Sequence, residues 1–305
     1  MTKTMKEVKR IVWDVVFWFL GRYFPKAYVD VFFWRNFGKG HKWRTNPQDI
    51  NEKINWLKFY GDTSQWPLLA DKYRVRQYVE EKGLGDTLIP LLGHWDRAED
   101  IDWDSLPNKF VMKTNHGCGD VLLCEDKSKL DIPYWTKTFA KLLKQKYGYA
   151  YAEPHYNKIR PCVIAEEMLE GTQDKSVSSS SIIDYKIWAS RGEPFSILVC
   201  LNRSKGHVEL ATYDVEWNQH PEVMRAASHN AMYHGEVPRP AALEQLLHVA
   251  SVLSKDHPVA RVDLYEVGGK VYFGEMTLTP ASGLLTYYTT EYLKEMGEKC
   301  KLDVG

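Results

Sequence analysis

The fold of this chain is decided by residues 260–284, which read ARVDLYEVGGKVYFGEMTLTPASGL. Two largely apolar stretches flank the pair Gly268-Gly269, a combination that is typical of a β-hairpin. Asp263 and Glu275 lie at similar distances on either side of this turn. We therefore expect the two carboxylates to face each other on one side of the ladder.

Two facing carboxylates repel each other unless a positive group lies between them. Mg²⁺ is one such group, because it is held by one or two carboxylates together with substrate phosphates. Arg261 alternates onto the face of Asp263, where its guanidinium can bind a carboxylate or a phosphate. The spacing is equally compatible with a solvated polar face on which Arg261 forms an ordinary salt bridge, so it does not decide between a metal site and a surface.

A second motif lies upstream in KFVMKTNHGCGDVLLCED, residues 109–126. The pattern predicts two strands joined by a tight turn at 116–120. Glycines allow backbone amides to point into one concave nest that binds phosphate oxygens, and Lys113 adds a positive charge. The motif alone is weak because many hairpins have glycine-rich tips, and it is neither a Walker A motif nor a Rossmann fingerprint.

Two further segments carry candidate nucleotide contacts. VIAEEMLEG at 163–171 is an apolar strand that runs into two glutamates. Such a strand can present a backbone edge to a purine, although an edge strand with a solvated end is the simpler interpretation. LADKYRVRQYVEEKG at 69–83 predicts one helix ending at Gly83, with Lys72 near its N-terminus. A cation is unfavourable there unless an anion is nearby, although a surface lysine is again the simpler interpretation.

The remaining pattern mixes helices and strands without regular βαβ alternation, which predicts an α+β fold. The helix at 46–61 is expected to be capped by Asn46, with Pro47 at its first position. The other predicted helices are 5–23, 27–37, 134–147 and 242–255, and the other predicted strands are 88–95, 161–169 and a pair around the turn Arg191-Gly192.

The order of these motifs along the chain resembles that of the ATP-grasp superfamily. Their amino-acid sequences resemble its TupA-like branch, which is found with capsule and cell-wall polysaccharide genes. The resemblance runs from about residue 51 to residue 285 and rests on NEKINWLKFYGD, LADKYRVRQYVEEKG, LPNKFVMKTNHGCGD, VIAEEML, DYKIW and the hairpin of 260–284. It implies an ATP-grasp fold, in which two α+β lobes clasp ATP, with an N-terminal helical extension. The implied division is an N-terminal helical region (1–60), a pre-ATP-grasp region (61–107), a nucleotide-clasping lobe (108–166) and a catalytic lobe (167–305).

The resemblance also implies roles for single residues. Lys72 and Lys113 match the two nucleotide lysines of enzymes such as D-alanine–D-alanine ligase. The other implied nucleotide contacts are His116, Gly117 and Gly119 of the phosphate loop, Glu166, Glu167 and Leu169 of the adenine hinge, and Asp174 for the ribose.

On the catalytic side, Asp263 and Glu275 match the magnesium carboxylates, and Arg261 matches the arginine that stabilises the acyl phosphate. Lys186 is an additional candidate that faces phosphate or substrate. Thr277 departs from the family pattern, which has a metal-binding Asn there, so a second Mg²⁺ either is absent or uses the Thr277 hydroxyl.

The implied function is an ATP-dependent carboxylate–amine ligase that forms an amide through an acyl phosphate. The genomic association of the family points to an amino acid or small amine joined to a uronic-acid-type sugar in capsular or cell-surface polysaccharide biosynthesis. Three alternatives stay open: a glycosyltransferase that uses a nucleotide sugar, an ATP-dependent kinase of a sugar hydroxyl, and a non-catalytic scaffold. A glycosyltransferase would leave the two nucleotide lysines unexplained.

The composition limits the classes of binding partner and the cellular compartment. The chain has 40 basic and 40 acidic residues, which argues against a dedicated nucleic-acid binder. Its five cysteines are odd in number and show no CxxC spacing, which favours a reducing cytoplasm.

The N-terminal segment is basic and then apolar, reading MTKTMKEVKR and IVWDVVFWFL. The apolar run is much shorter than the roughly 20 residues that a membrane-spanning helix needs. As an amphipathic helix it can lie on the inner face of the cytoplasmic membrane or contact a capsule-synthesis complex. A helix packed on the protein's own core explains the same pattern.

Overall fold

The computed structural model of the protein describes residues 13, 15–38, 41–119, 121–169, 179, 181–204, 206–225 and 230–302. Its helices are α1 (15–23), α2 (Pro25–Phe37), α3 (Ile50–Tyr60), α4 (Trp66–Leu69), α5 (Val75–Glu81), α6 (Ile132–Leu142), α7 (Tyr147–Ala150), α8 (Leu243–Ser254) and α9 (Thr290–Lys299). Its strands are β1 (Leu91–Trp95), β2 (Phe110–Thr114), β3 (Val121–Cys124), β4 (Val163–Glu167), β5 (Asp184–Ser190), β6 (Glu193–Ser204), β7 (His207–Tyr213), β8 (Asn230–Met232), β9 (Ala260–Val267) and β10 (Lys270–Thr277).

The strands form two sheets, which confirms the α+β prediction. The smaller sheet has the order β1-β4-β2-β3 and is antiparallel throughout. Phe110, Met112 and Val163 lie in its core beside Phe139 of α6. The Asp131 carboxylate accepts a hydrogen bond from the Tyr134 amide and so caps α6, which ends at Leu142 instead of continuing to 147.

The larger sheet has the order β10-β9-β5-β6-β7-β8, and among its strands in the described ranges only β7 and β8 pair in parallel. Helix α8 packs on β5, β6 and β9 through its buried side chains Leu246, Val249 and Leu253. The predicted hairpins β2–β3, β5–β6 and β9–β10 are confirmed. The division of the chain at residues 60, 107 and 166 stays a prediction.

Helix α3 packs against the segment that follows β10 and against α9. It begins at Ile50, so the prediction that Asn46 caps it is wrong. Asp49 is the cap, because its carboxylate accepts from the Glu52 amide at 2.8 Å while the Glu52 carboxylate accepts from the Asp49 amide at 3.4 Å. The Asn51 side chain forms two hydrogen bonds with the backbone of Leu285, at 3.1 and 2.8 Å.

The single helix predicted over 69–83 is also wrong, because the chain is interrupted between α4 and α5. The Asp71 carboxylate accepts from the amides of Tyr73 and Arg74 at 2.9 and 3.1 Å, which closes a local turn. The Lys72 amide meanwhile donates to the Asn115 carbonyl at 3.0 Å. Lys72 therefore lies in a turn against the β2–β3 loop, and not in a helix.

Candidate active site

The β9–β10 hairpin places Asp263 opposite Glu275, as predicted, but a β-bulge is needed to do so. Regular pairing from the turn outwards would set Asp263 opposite Gly274, and the register shifts between Phe273 and Glu275. A Cβ at Gly274 would lie 2.9 Å from a ring atom of Tyr265 and 3.0 Å from the Asp263 carbonyl. The close packing at Gly274 therefore fixes the register of the two carboxylates.

Asp263 is buried between two cations. Arg261 donates to both of its carboxylate oxygens at 2.7 Å, and Lys186 forms an ion pair with it from the neighbouring strand. Lys186 also lies 2.7 Å from the Asp184 carboxylate. Burial alone lowers the pKa of Lys186, but Asp184 and Asp263 outweigh it and raise that pKa above its usual value, so Lys186 stays charged.

Glu275 faces the opening of the same cluster. Its carboxylate lies 3.1 Å from the Lys72 ammonium and 3.9 Å from the Arg261 guanidinium. Burial raises the pKa of Glu275, while Lys72, Lys186 and Arg261 lower it, and the net result is a pKa well below the usual range. Thr277 pairs with Arg261 across the ladder, and the guanidinium lies 3.4 Å from its hydroxyl.

Lys72 joins this cluster to the smaller sheet. Its ammonium donates to the Gly117 carbonyl of the β2–β3 loop at 2.9 Å while it also pairs with Glu275. Burial lowers the pKa of Lys72, but the Glu275 carboxylate reverses this and raises it overall. One side chain thus contacts both the glycine-rich loop and the carboxylate hairpin.

Lys113 lies on the smaller sheet, where it pairs with Glu166 at 2.6 Å. Arg76 approaches the same carboxylate at 3.4 Å and donates to the Ile89 carbonyl at 2.9 Å. Glu166 is therefore a buried carboxylate held by two cations. Glu167 is exposed, with its amide bonded to the Pro90 carbonyl at 3.0 Å, and Leu169 follows β4 half-buried.

The glycine-rich loop contains one left-handed glycine, while the predicted nest of backbone amides stays a prediction. Gly119 has a φ of 80°, and a Cβ there would meet nothing within 4 Å. His116 is buried, and its Nε2 lies 3.3 Å from the Gln145 carbonyl. Asp120 at the end of the loop and Asp174, the ribose candidate, lie outside the described residues.

The structure thus brings Lys72, Lys186, Arg261, Asp263, Glu275 and Thr277 together, with Gly117 alongside, while Lys113 pairs with Glu166 on the smaller sheet. Three neighbours were missed by sequence reasoning: Asp184, Arg76 and Tyr156, whose raised pKa reflects burial first and then Glu153, Glu275 and other charges. Asp184 had a signal, because it lies two positions before Lys186 on a predicted strand and therefore on its face. Arg76 and Tyr156 had none.

The donor chemistry of this site fits Mg²⁺ and a polyphosphate. Asp263, Glu275 and Thr277 offer hard oxygen atoms, which Mg²⁺ prefers. Lys72, Lys186 and Arg261 supply positive charge around them, as phosphate oxygens require. Their present partners are the carboxylates themselves, so a bound phosphate would replace internal ion pairs.

Solved structures that resemble the chain are ligases and a synthetase of low sequence identity. The D-alanine–D-alanine ligase of Bacillus anthracis complexed with ATP has 14% identity and a TM-score of 0.42, over 76% of this chain and 65% of that chain. The L-amino acid ligase of Bacillus licheniformis has 12% identity and a TM-score of 0.46, over 86% of this chain and 56% of that chain. The D-cycloserine synthetase DcsG has 16% identity and a TM-score of 0.45, over 79% of this chain and 73% of that chain. The chain thus spans less than two thirds of the first two ligases.

No curated protein sequence matches the chain at a significant level. The family model described as TupA-like ATPgrasp, in contrast, matches residues 52–301 and so covers most of the chain. This match confirms the resemblance drawn from the motifs and the predicted ATP-grasp fold, and the chain belongs to the TupA-like ATP-grasp family.

Proposed function

We propose that this protein is an ATP-dependent carboxylate–amine ligase. The observation that carries the proposal is the position of Lys72, which contacts the Gly117 carbonyl of the glycine-rich loop and the Glu275 carboxylate at once. A phosphate donor held by the loop would thereby lie beside Asp263, Glu275 and Arg261. Membership of the ATP-grasp family supports ATP as that donor.

The proposed chemistry has two steps. A carboxylate oxygen of the acid substrate attacks the γ-phosphorus of ATP, the bond to ADP breaks, and an acyl phosphate forms. The amine nitrogen then attacks the acyl carbon, phosphate leaves, the nitrogen loses a proton and an amide results. No protein nucleophile is required, since positioning and charge neutralisation supply most of the acceleration of phosphoryl transfer.

Each charged residue of the cluster has a task in this scheme. Lys72 and Lys113 are proposed to bind the phosphates of ATP, and Arg261 with Lys186 to neutralise charge on the transferred group and the acyl phosphate. Mg²⁺, when held by Asp263 and Glu275 with or without the Thr277 hydroxyl, supplies Lewis-acid neutralisation of the phosphoryl oxygens.

The proposed adenine site is the end of β4. Glu167 and Leu169 lie at its accessible end, whereas Glu166 is held by Lys113 and Arg76 and so fixes the position of Lys113. Gly117, Gly119 and His116 form or support the proposed phosphate loop, and Asp174 stays the proposed ribose contact.

The proposed substrates are a uronic-acid-type sugar and an amino acid or small amine, in the biosynthesis of a capsular or cell-surface polysaccharide. Support for them comes from the family alone. Transfer of phosphate to a sugar hydroxyl, or use of a nucleotide sugar, remains the competing chemistry that an experiment has to exclude.

The first experiment is a thermal-shift measurement with Mg²⁺ and a non-hydrolysable ATP analogue. Ligand at a hundred times Kd stabilises by about 2.7 kcal/mol, which for a chain of this size is a shift of a few degrees. Glu275→Gln should lose the Mg²⁺-dependent part of the shift, whereas Glu99→Gln, at an exposed ion pair elsewhere, should keep it. Glu275 suits this test better than Asp263, because removal of a buried charge between two cations costs about 3–5 kcal/mol of stability.

The outcomes separate the competing functions. A shift with the ATP analogue justifies a screen of uronic acids and amines for coupled release of ADP and phosphate. Release of ADP without phosphate would indicate a kinase. A shift with nucleotide sugars alone would indicate a glycosyltransferase, and no shift with any nucleotide would favour a scaffold.

We further propose that the N-terminal helices contact the inner face of the cytoplasmic membrane. Large apolar side chains of this region are exposed, among them Phe24, which lies between α1 and α2, at 55% and Trp34 of α2 at 62%. Arg22 and Arg35 lie over the rings of Trp18 and Trp13. Rings next to basic side chains are typical of helices that lie on anionic lipid. Within the described ranges no helix is long and apolar enough to cross a membrane.

Deletion of residues 1–23 should abolish flotation with vesicles that contain anionic phosphatidylglycerol. The double variant Phe24→Glu and Trp34→Glu should do the same, because it places charge at two exposed aromatic positions of the proposed contact. A matched variant, Tyr134→Glu at an exposed position of α6, should float as the wild type does. A wild-type protein that stays with the soluble fraction would exclude the membrane proposal.

A further inference from the structure

A cavity of about 260 Å³ lies between α2, α7 and the chain that follows β10. Its walls are two pairs of aromatic rings. Tyr28 and Phe32 of α2 have ring centroids 6.2 Å apart and nearly parallel planes, and Tyr147 and Tyr151 at α7 have centroids 5.7 Å apart. The cavity is therefore lined mainly by aromatic side chains, three of which are tyrosines.

The floor of the cavity is the turn that contains Ala281 and Ser282. Both residues have left-handed backbone conformations, with φ of 47° and 59°, which are unfavourable for residues other than glycine. The turn is held from below, because Lys58 donates to the Ser282 carbonyl at 2.9 Å and Thr279 donates to the buried Glu153 carboxylate. Strained backbone that is fixed in this way is typical of binding sites.

The cavity is linked to the proposed reaction centre by the chain that follows β10 and by Tyr147, whose ring centroid lies 5.6 Å from that of Tyr156. Its floor follows Thr277 at the end of β10 after only a few residues. Its wall residue Tyr147 lies close enough to Cys118 of the glycine-rich loop for that thiol to contribute, after burial, to the raised pKa of the Tyr147 hydroxyl. A molecule in the cavity would thus lie against one residue that contacts the loop and against the turn that follows the carboxylate hairpin.

We propose that this cavity binds the pyranose ring of the acid substrate, an assignment that rests on the proposed ligase function. Sugar rings have apolar C–H faces and hydroxyl edges, which complement a site lined by one stacked Tyr–Phe pair and two further tyrosines. The volume lies just below the range of ~300–1,000 Å³ that is usual for ligand pockets, so it fits one ring and not an oligosaccharide.

The proposal also gives the N-terminal region a second task. Tyr28 and Phe32 lie outside residues 52–301, the part that matches the family. One wall of the cavity is therefore supplied by a helix that lies outside the residues matched to the family. Helix α2 would select the sugar as well as approach the membrane.

The test compares Tyr151→Ala with Tyr134→Ala. Both tyrosines are exposed, at 45% and 59%, but only Tyr151 lines the cavity. The probe is methyl β-D-glucuronide, whose binding is measured by saturation-transfer NMR without nucleotide. Loss of one stacking ring should weaken binding about tenfold in Tyr151→Ala, whereas Tyr134→Ala should bind as the wild type does.

Two results would overturn the assignment: equal binding to Tyr151→Ala and the wild type, or no binding of the glucuronide, the galacturonide or the glucoside to the wild type. The thermal shift with the ATP analogue distinguishes a failure of the cavity from a failure of the function. A shift that persists in Tyr151→Ala leaves the ligase proposal standing whatever the sugar does. In turnover assays, the KM for the uronide should rise while the KM for ATP stays constant.

Discussion

At the scale of single residues, the two facing carboxylates have different environments. Asp263 is buried, with Arg261 and Lys186 in contact. The Glu275 side chain is 34% exposed and pairs with Lys72. We infer that Asp263 fixes the positions of the cations, while Glu275 is the carboxylate that can exchange its partner for a metal or a substrate.

The lowered pKa of Glu275 predicts a contribution to stability above the ordinary pKa of a glutamate, which is lost as the pH falls towards the lower folded value. The melting temperature of Glu275→Gln should therefore fall less steeply than that of the wild type between about pH 5 and pH 2. Thermal unfolding followed by circular dichroism across this range measures the difference. Glu99→Gln, which removes an exposed carboxylate, should leave the fall of the melting temperature with pH unchanged. If the melting temperature of Glu275→Gln falls as steeply as that of the wild type, the Glu275 carboxylate is not stabilised by its neighbours.

At this scale the sequence was informative where a motif carried the chemistry. Asp263, Glu275, Arg261 and Lys72 were all named from their motifs, and the structure brings them together. The pairing of Lys72 with Glu275 could not be predicted, because it joins residues that are far apart in sequence and depends on the packing of the two sheets.

At the scale of elements, the β9–β10 hairpin shows what periodicity can and cannot predict. Its turn and strands follow from the glycine pair and the apolar pattern, but its register depends on the bulge at Gly274. The interruption between α4 and α5 is similar, because Asp71 closes a turn within a pattern that reads as a continuous helix. In both places a local contact overrides the period of the sequence.

Gly274→Ala should displace the bulge, because the added methyl group would lie 2.9 Å from Tyr265 and 3.0 Å from the Asp263 carbonyl. Overpacking of this kind costs about 1–3 kcal/mol, and the shift in register should also lower turnover by moving Glu275. Urea unfolding and ADP release measure the two effects. Gly85→Ala is the matched control, since its methyl group would meet only the flexible Glu80 chain at 3.4 Å; equal stability of both variants would contradict the role of the bulge.

At the scale of the whole molecule, Lys72 connects the two sheets. Its amide and ammonium bond to the β2–β3 loop, and its ammonium also pairs with the β10 carboxylate. The resemblance to the ATP-grasp superfamily and the α+β class followed from motifs and patterns, whereas this connection is a property of the assembled fold alone.

Lys72→Ala should raise the KM for ATP about tenfold or more, which corresponds to about 1.4 kcal/mol or more. The physical reason is the loss of a charge that contacts both the loop and the hairpin. Lys82→Ala, which removes a surface ion pair with Asp256, should change stability and KM little, by at most about 1 kcal/mol. Steady-state kinetics of both variants decide the point, and an unchanged KM in Lys72→Ala would remove this lysine from the nucleotide site.

The hydrogen bonds between Asn51 and Leu285 have a consequence for the synthesis of the protein. Their partners are 234 positions apart, so a ribosome completes most of the chain before α3 finds the segment on which it packs. At ~5–20 residues per second, the delay is on the order of ten seconds or more. During that time three apolar side chains of α3 lack the partners that bury them in the finished protein: Ile50, Ile54 and Leu57. The nascent chain is therefore a natural client for a chaperone, and a message truncated late in the gene would leave these side chains exposed.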